Sequence, residues 1–258
     1  MELSQRQLEE FAENGVLIFP RLFNLEEVKI LSNSTSKVTK KIGLNVTPEI
    51  NTEGVRMVHG AHEYENSFAH LCRHPRIVKP AEQLLQSKIY LHQSRLNVNS
   101  GFGSGGFSWH QDYATWKDVD GLPEPRALMI AVFFDDVDST NGPLLFFPGS
   151  HKKGVIEDFE PVEDKTGNVL MCLSKSRLAE LEKEFGIQAG LGPAGTVLFM
   201  HCNLVHGSTS NISPKSRTLF YVNVNSVENQ QTTFAREIFH AGRDFSPIIA
   251  VENDILLY

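Results

Sequence analysis

Apolar runs too short for ordinary helices dominate the last two thirds of this 258-residue chain, and they limit its fold most strongly. Ile89–Val98, Leu128–Phe134, Leu144–Phe147, Thr196–Met200 and Thr218–Val224 each read as a buried strand, with Asn141-Gly142-Pro143 as a turn before the third. Ahead of them stand helices with readable ends. Ser4 and Gln7 form a capping box for a helix through Phe11 that Gly15 stops. Asn24 and Glu27 start a second helix, running toward Lys41 and stopped at Gly43, and a third follows Pro75 and reaches about Gln86. Val16–Phe19 reads as a short strand, and Ser174–Phe185, closed by Gly186, as an amphipathic helix inserted among strands. Residues 44–68 read as polar and loop-rich. Helices first and then many short strands predict an α+β protein built on an antiparallel barrel or sandwich. No repeat or Pro/Gly/Ser linker divides the chain, so a single domain, 1–258, is expected.

Charge and cysteine usage narrow the function classes. There are 31 acidic against 24 basic side chains, a net charge of −7, and no Lys/Arg cluster, which argues against nucleic acid as the partner. No apolar run approaches the roughly 18 residues that span a bilayer, and the first residues lack a basic stretch leading into an apolar one. Cys72, Cys172 and Cys202 are odd in number and widely spaced, with neither a disulfide nor a zinc pattern, as suits a reducing compartment. The expectation is a cytoplasmic protein, monomeric or homodimeric, that works on a small molecule.

The chemistry concentrates in Phe107-Ser108-Trp109-His110-Gln111-Asp112-Tyr113. If this stretch is extended, His110 and Asp112 point to the same face. One imidazole and one carboxylate supply two legs of a facial triad, which leaves three adjacent positions open and suits Fe(II). His-x-Asp alone is weak, and the third ligand decides. His206, in Leu204-Val205-His206-Gly207-Ser208, lies 94 residues past Asp112 and follows an apolar strand. Arg217, 11 residues further on, opens the next strand, where a guanidinium is costly to bury without a carboxylate. A dicarboxylate co-substrate would be that partner. Gly101 to Gly106 contains a G-x-G-x-x-G match, but a strand and not a helix is expected after it, so it reads as a flexible active-site loop rather than a dinucleotide site.

Several stretches together carry a family resemblance: Tyr90-Leu91-His92-Gln93-Ser94-Arg95-Leu96-Asn97, Trp109 through Trp116 with Asp120-Gly121-Leu122-Pro123, Asn141 through His151, and His206-Gly207-Ser208 through Arg217. In these the chain resembles the phytanoyl-CoA dioxygenase-type oxygenases, dependent on iron(II) and 2-oxoglutarate, and within them the branches that hydroxylate ectoine and L-proline. The resemblance implies a double-stranded β-helix (jelly-roll) core flanked by helices. It implies Fe(II) on His110, Asp112 and His206, with 2-oxoglutarate and O2 as co-substrates and ascorbate as a reductant in vitro. Arg217 and Ser208 would hold the distal carboxylate, with Asn97, Arg95 and Phe107 lining the same co-substrate. Gln93 and Trp116 would face the substrate.

The chain also departs from the pattern. Asn99 stands where those relatives carry a lysine, Met129 replaces a serine or asparagine, Met200-His201 replaces Phe-Asp, and Tyr221 replaces a phenylalanine. The resemblance thus implies an intact iron centre and a substrate wall rebuilt at Met129, Met200 and Tyr221. Asp112 separates the chain from related halogenases, which lack this carboxylate. The expected reaction is hydroxylation of an unactivated C–H bond in a small amino acid or amino-acid-derived metabolite, with release of succinate and CO2. The alternatives are a tailoring oxygenase whose oxidation ends in C–N cleavage or desaturation, and a non-catalytic iron or 2-oxoglutarate sensor. Residues 44–68 and the tail after Val227 are candidate lids.

Overall fold

The structure, a computed structural model, describes residues 1–41, 43–49, 54–102, 105–163 and 169–257, with 160–163 and 169–171 as backbone only. In chain order the elements are α1 (Gln5–Asn14), β1 (Val16–Phe19), α2 (Leu25–Val38), β2 (Val46–Pro48), β3 (Val55–His59), α3 (Asn66–Cys72), α4 (Pro75–Leu85), β4 (Ile89–Asn99), β5 (Phe107–His110) and α5 (Asp112–Asp118). Then come β6 (Ala127–Phe133), β7 (Leu144–Phe146), β8 (Phe159–Glu163), β9 (Val169–Leu173), α6 (Lys175–Phe185), β10 (Gln188–Gly190), β11 (Val197–His201), β12 (His206–Ser208) and β13 (Arg217–Ser226). Among the described residues no helix is long and apolar enough to cross a membrane.

Both capping boxes form. Ser4 N donates to Gln7 Oε1 at 2.9 Å and Gln7 N to Ser4 Oγ at 3.4 Å, while Asn24 Oδ1 accepts from the amides of Glu26 and Glu27. Gly15 ends α1 with φ at 71°, a left-handed conformation that glycine adopts without a Cβ penalty. The second helix stops earlier than its sequence pattern, at Val38 rather than near Lys41. Val38 is its last fully buried residue, and the exposed Lys40 and Lys41 beyond it have nothing to bury.

Seven antiparallel strands in the order β1-β11-β6-β13-β4-β3-β2 make the major sheet; four, β10-β7-β12-β5, make the minor one; β8 and β9 form a separate hairpin. One face of the major sheet packs Ile130, Val132, Phe199, Phe220 and Val222 against helix residues such as Leu31, Phe68 and Ile77. The other face meets the minor sheet through Met129, Phe133, Leu144, Phe146 and Leu198. The sheets approach so closely at Gly190 that a Cβ there would lie 2.6 Å from Leu198 Cδ2. Two antiparallel sheets joined by one inner core and backed by helices are the expected jelly-roll arrangement.

The structure corrects two further local expectations and adds a strand at His206. The segment 44–68 is not simply loop: around residues 50–53, which lie outside the described residues, it supplies β2, β3 and the start of α3. The strand expected through Asp112 ends at His110, and Asp112 opens helix α5, where an acidic side chain favours the positive helix end. His206 has a three-residue strand of its own, β12. Gly103 and Ser104 of the glycine-rich loop lie outside the described residues.

Candidate metal and co-substrate site

β5 and β12 pair so that His110 and His206 stand directly opposite each other, with ring centroids 4.3 Å apart. Asp112 joins them from the first turn of α5, and one ligand atom from each of the three residues lies within 4.8 Å of the others. The chain between the ligands is pinned by Gln111, which is almost fully buried. Its amide donates to Asn203 O at 2.7 Å and Gly154 O at 2.8 Å and accepts from Ile156 N at 2.9 Å. Tyr113 N donates to Cys202 O, tying α5 to the loop that precedes His206. Convergence therefore does not depend on the alternation of a strand.

Each imidazole is oriented by a backbone carbonyl. His110 Nδ1 donates to Ser108 O at 2.7 Å and His206 Nδ1 to Leu204 O at 3.0 Å, because only a donor can satisfy a carbonyl. That choice leaves a lone pair on both Nε2 atoms, the usual tautomer of a metal-binding histidine. Burial, with His110 nearby, pushes His206 down to about 4, so it is neutral near pH 7. Burial alone would raise Asp112, but the adjacent His110, His206 and Arg95 outweigh it and hold the carboxyl below its ordinary range. Its Oδ1 lies 3.4 Å from His110 Nε2, while its buried Oδ2 has no hydrogen-bond partner among the described residues. Two imidazoles with outward Nε2 atoms and a carboxylate with an uncommitted oxygen fit a divalent ion with open positions, the donor set of non-haem Fe(II) sites.

The ladder between β4 and β13 builds the adjoining polar stripe. Its register sets Arg217 opposite Asn99, Leu219 opposite Asn97, Tyr221 opposite Arg95 and Asn223 opposite Gln93. Arg217 is 1% exposed, and among the described residues no carboxylate pairs with it. Its Nε has no partner, and Asn99 supports Nη2 through its amide oxygen at 3.0 Å, in the orientation its neighbours require. Burial lowers its pKa, yet a guanidinium stays charged near neutral pH. Asn97 Oδ1 and Arg95 Nε are likewise buried without partners, and the Arg95 guanidinium lies 4.7 Å from the Tyr221 ring centroid. Ser208 Oγ accepts from Phe107 N at 3.0 Å, which leaves its own proton free to donate elsewhere.

A cavity of about 360 Å³ opens beside the triad, with Gln93, Arg95, Phe107, His110, Asp112 and Trp116 in its walls. Gln93 reaches it with an amide committed to the protein, accepting from Asn223 Nδ2 at 3.0 Å and donating to His240 O at 2.8 Å. Met129, Met200 and Tyr221 are not among its lining residues; they lie buried in the core between the sheets. A cavity of about 410 Å³ on the far side of β4, between α3 and residues 238–249, contains none of the three converging ligands.

Met57, His59, Phe159, Arg236 and His240, which no motif marks, also line the cavity. Met57 and His59 stand opposite Asn97 and Arg95 across the β3–β4 ladder. His59 and His240 meet edge to face with centroids 4.3 Å apart, and burial, then Arg95, His240 and Arg236, push His59 to about 2. Arg236 Nε donates to Asp120 at 2.7 Å, and Asp120 also pairs with the buried His92, whose ring packs edge-on to Trp116. Part of the tail after Val227 thus borders the cavity.

Comparison with known proteins agrees with this geometry. The family model described as phytanoyl-CoA dioxygenase (PhyH) matches residues 11–219. An ectoine dioxygenase of Bordetella bronchiseptica is 36% identical over 239 residues, 88% of this chain and 77% of that protein. An L-proline trans-4-hydroxylase of Streptomyces griseoviridis is 30% identical over 255 residues, 95% of each chain. The crystal structure of EctD from S. alaskensis with 2-oxoglutarate and 5-hydroxyectoine superimposes with a TM-score of 0.85 at 31% identity, covering 97% of this chain and 87% of that one.

Proposed function

The chain belongs to the phytanoyl-CoA dioxygenase family, and from that premise we propose that it hydroxylates an unactivated C–H bond of a small amino acid or amino-acid-derived metabolite, using Fe(II), 2-oxoglutarate and O2 and releasing succinate and CO2. The observation that carries this reading is the convergence of His110, Asp112 and His206 in the same interior as a buried arginine that pairs with no carboxylate among the described residues. Iron held by His110, Asp112 and His206 would supply dioxygen activation coupled to oxidative decarboxylation of the 2-oxo acid.

The protein's part is to hold, orient and exclude. His110 Nε2, His206 Nε2 and an Asp112 oxygen are the proposed iron ligands, held in place by the Ser108 and Leu204 carbonyls and the Gln111 staple. Arg217 and the Ser208 hydroxyl seat the distal carboxylate of 2-oxoglutarate, and Asn97, Arg95 and Phe107 line its length. Trp116, with Met57 and Phe107, forms an apolar wall that keeps water from the reacting carbon. Gln93 positions the His240 segment against β4. Met129, Met200 and Tyr221 shape the substrate side from behind, by packing. A cavity of about 360 Å³ fits a substrate the size of an amino acid derivative and favours an enzyme over a sensor. The whole chain, 1–258, acts as one oxygenase domain, and its three buried free cysteines suit the cytoplasm.

The test is an aerobic assay with Fe(II), ascorbate and 2-oxoglutarate over L-proline, ectoine and N-substituted amino acids, following succinate and substrate mass together. Succinate with one added oxygen on a panel member is expected. Succinate no higher than in Asp112→Ala across the panel would contradict the reading, and loss of a carbon fragment would replace hydroxylation by C–N cleavage.

A further inference from the structure

Arg56, on β3, touches the glycine-rich turn that leads into β5. Its Nη2 donates to Gly106 O at 3.0 Å, its guanidinium carbon lies 4.4 Å from the Phe107 ring centroid, and Nη1 lies 3.4 Å from Glu49 Oε1. The two side chains of this ion pair are only 15% and 3% exposed. A small void of about 10 Å³ is lined by Arg56, Glu49, Asn97, Asn99, Phe107 and Arg217. Such a void admits about one water molecule. It lies against the guanidinium of Arg217, and Arg56, Glu49 and Phe107 contribute to its walls.

We propose that Arg56 is a positioning residue for the 2-oxo acid: it clamps the Gly106–Phe107 turn over Arg217 and sets the length of dicarboxylate that the site accepts. The inference rests on the assignment of Arg217 as the seat of the distal carboxylate. The planar fork holds a backbone carbonyl and an aromatic face at once, which an ammonium on a flexible stem does poorly. With the turn held, the free space beside Arg217 is limited to the void of about 10 Å³, so an extra methylene beyond a five-carbon 2-oxo diacid forces repacking of a dense wall. Phe107 N donates to Ser208 Oγ, so a loosened turn also disturbs the second group proposed to hold the carboxylate.

The test is isothermal titration calorimetry of the Fe(II)-loaded protein under argon, with 2-oxoglutarate and with 2-oxoadipate, which is one methylene longer. Arg56→Met is expected to raise the 2-oxoglutarate Kd about tenfold and to narrow the preference for 2-oxoglutarate over 2-oxoadipate by about fivefold. Arg56→Lys, which keeps the charge, is expected to show the same narrowing to a smaller degree and serves if Arg56→Met does not fold. Wild-type affinity and an unchanged preference in the folded Arg56 variants, with binding lost in Arg217→Met, would overturn the proposal and leave the co-substrate assignment standing. Unchanged binding in Arg217→Met would overturn both.

Discussion

The two faces of the major sheet obey opposite rules although the same strands build them. On the helix side, Phe220, Val222 and Val224 of β13 join Ile130, Val132 and Phe199, and Phe220 stacks on Phe68 with centroids 4.6 Å apart. On the inner side, the alternate positions of β4 and β13 bring together Gln93, Arg95, Asn97, Asn99, Arg217 and Asn223, all but Arg95 buried, and several with polar atoms that have no partner. The first face supplies stability through ordinary apolar burial. On the proposed reading, the second tolerates groups that destabilise the ligand-free protein because the co-substrate would complete them. Changes to the two faces should therefore move different observables.

Asp112→Ala should have the largest effect on the inner face. Substrate-coupled turnover should fall by more than the roughly 10–100-fold that loss of a supporting hydrogen bond costs a metal site, with the circular dichroism spectrum retained; coupled turnover within twofold of wild type would sink the triad. On the outer face, Phe220→Ala should lower unfolding free energy by about 3–5 kcal/mol, read by urea denaturation, while the folded fraction keeps its 2-oxoglutarate affinity. A variant that lost affinity without losing stability would break the division between the faces.

Arg217→Met sharpens the comparison, because both observables should move in opposite directions. Loss of a charged hydrogen-bonding partner should weaken 2-oxoglutarate about 10–100-fold. Replacing an uncompensated buried cation by a similar apolar chain should leave the ligand-free protein at least as stable as wild type. A drop in both would mean that Arg217 is part of the framework.

Acid should act through the helix side, and more weakly. Burial pushes His62, His74 and His201 from an ordinary 6.5 to about 4, with Arg76 adding to the shift at His74 and His151 at His201. Between 6.5 and 4 the unfolded chain binds protons that these groups refuse in the native state, so stability falls as pH drops through that window and their contribution levels off below it. The metal-free Tm should accordingly be lower at pH 5 than at pH 7.5; a flat profile would contradict the burial of these imidazoles.

The contrast between the faces also explains what could be read from residues alone. The outer face announces itself through apolar alternation in Leu128–Phe134 and Thr218–Val224, and the helices through Ser4, Asn24, Pro75 and Ser174. His110, Asp112, His206 and Arg217 stand out through their chemistry and the family resemblance, although their convergence does not come from an extended His110-x-Asp112, because Asp112 starts a helix. β2 and β3 were hidden because their short, mixed sequences become strands only by pairing with each other and with β4, contacts remote in sequence. Arg236 and His240 lie in irregular chain with no periodicity to mark them. Nothing in the sequence marks the partners of Gln93: the β4–β13 ladder sets it opposite Asn223, and its amide also donates to His240 O while it lines the cavity.

The most direct measurement is the anaerobic visible spectrum on adding Fe(II) and then 2-oxoglutarate to the wild-type protein and to His206→Ala. The expected result is a charge-transfer absorption that saturates at one iron and one 2-oxoglutarate per chain and is lost in His206→Ala. No such absorption in the wild-type protein, or one that His206→Ala leaves unchanged, would contradict a metal held by His110, Asp112 and His206.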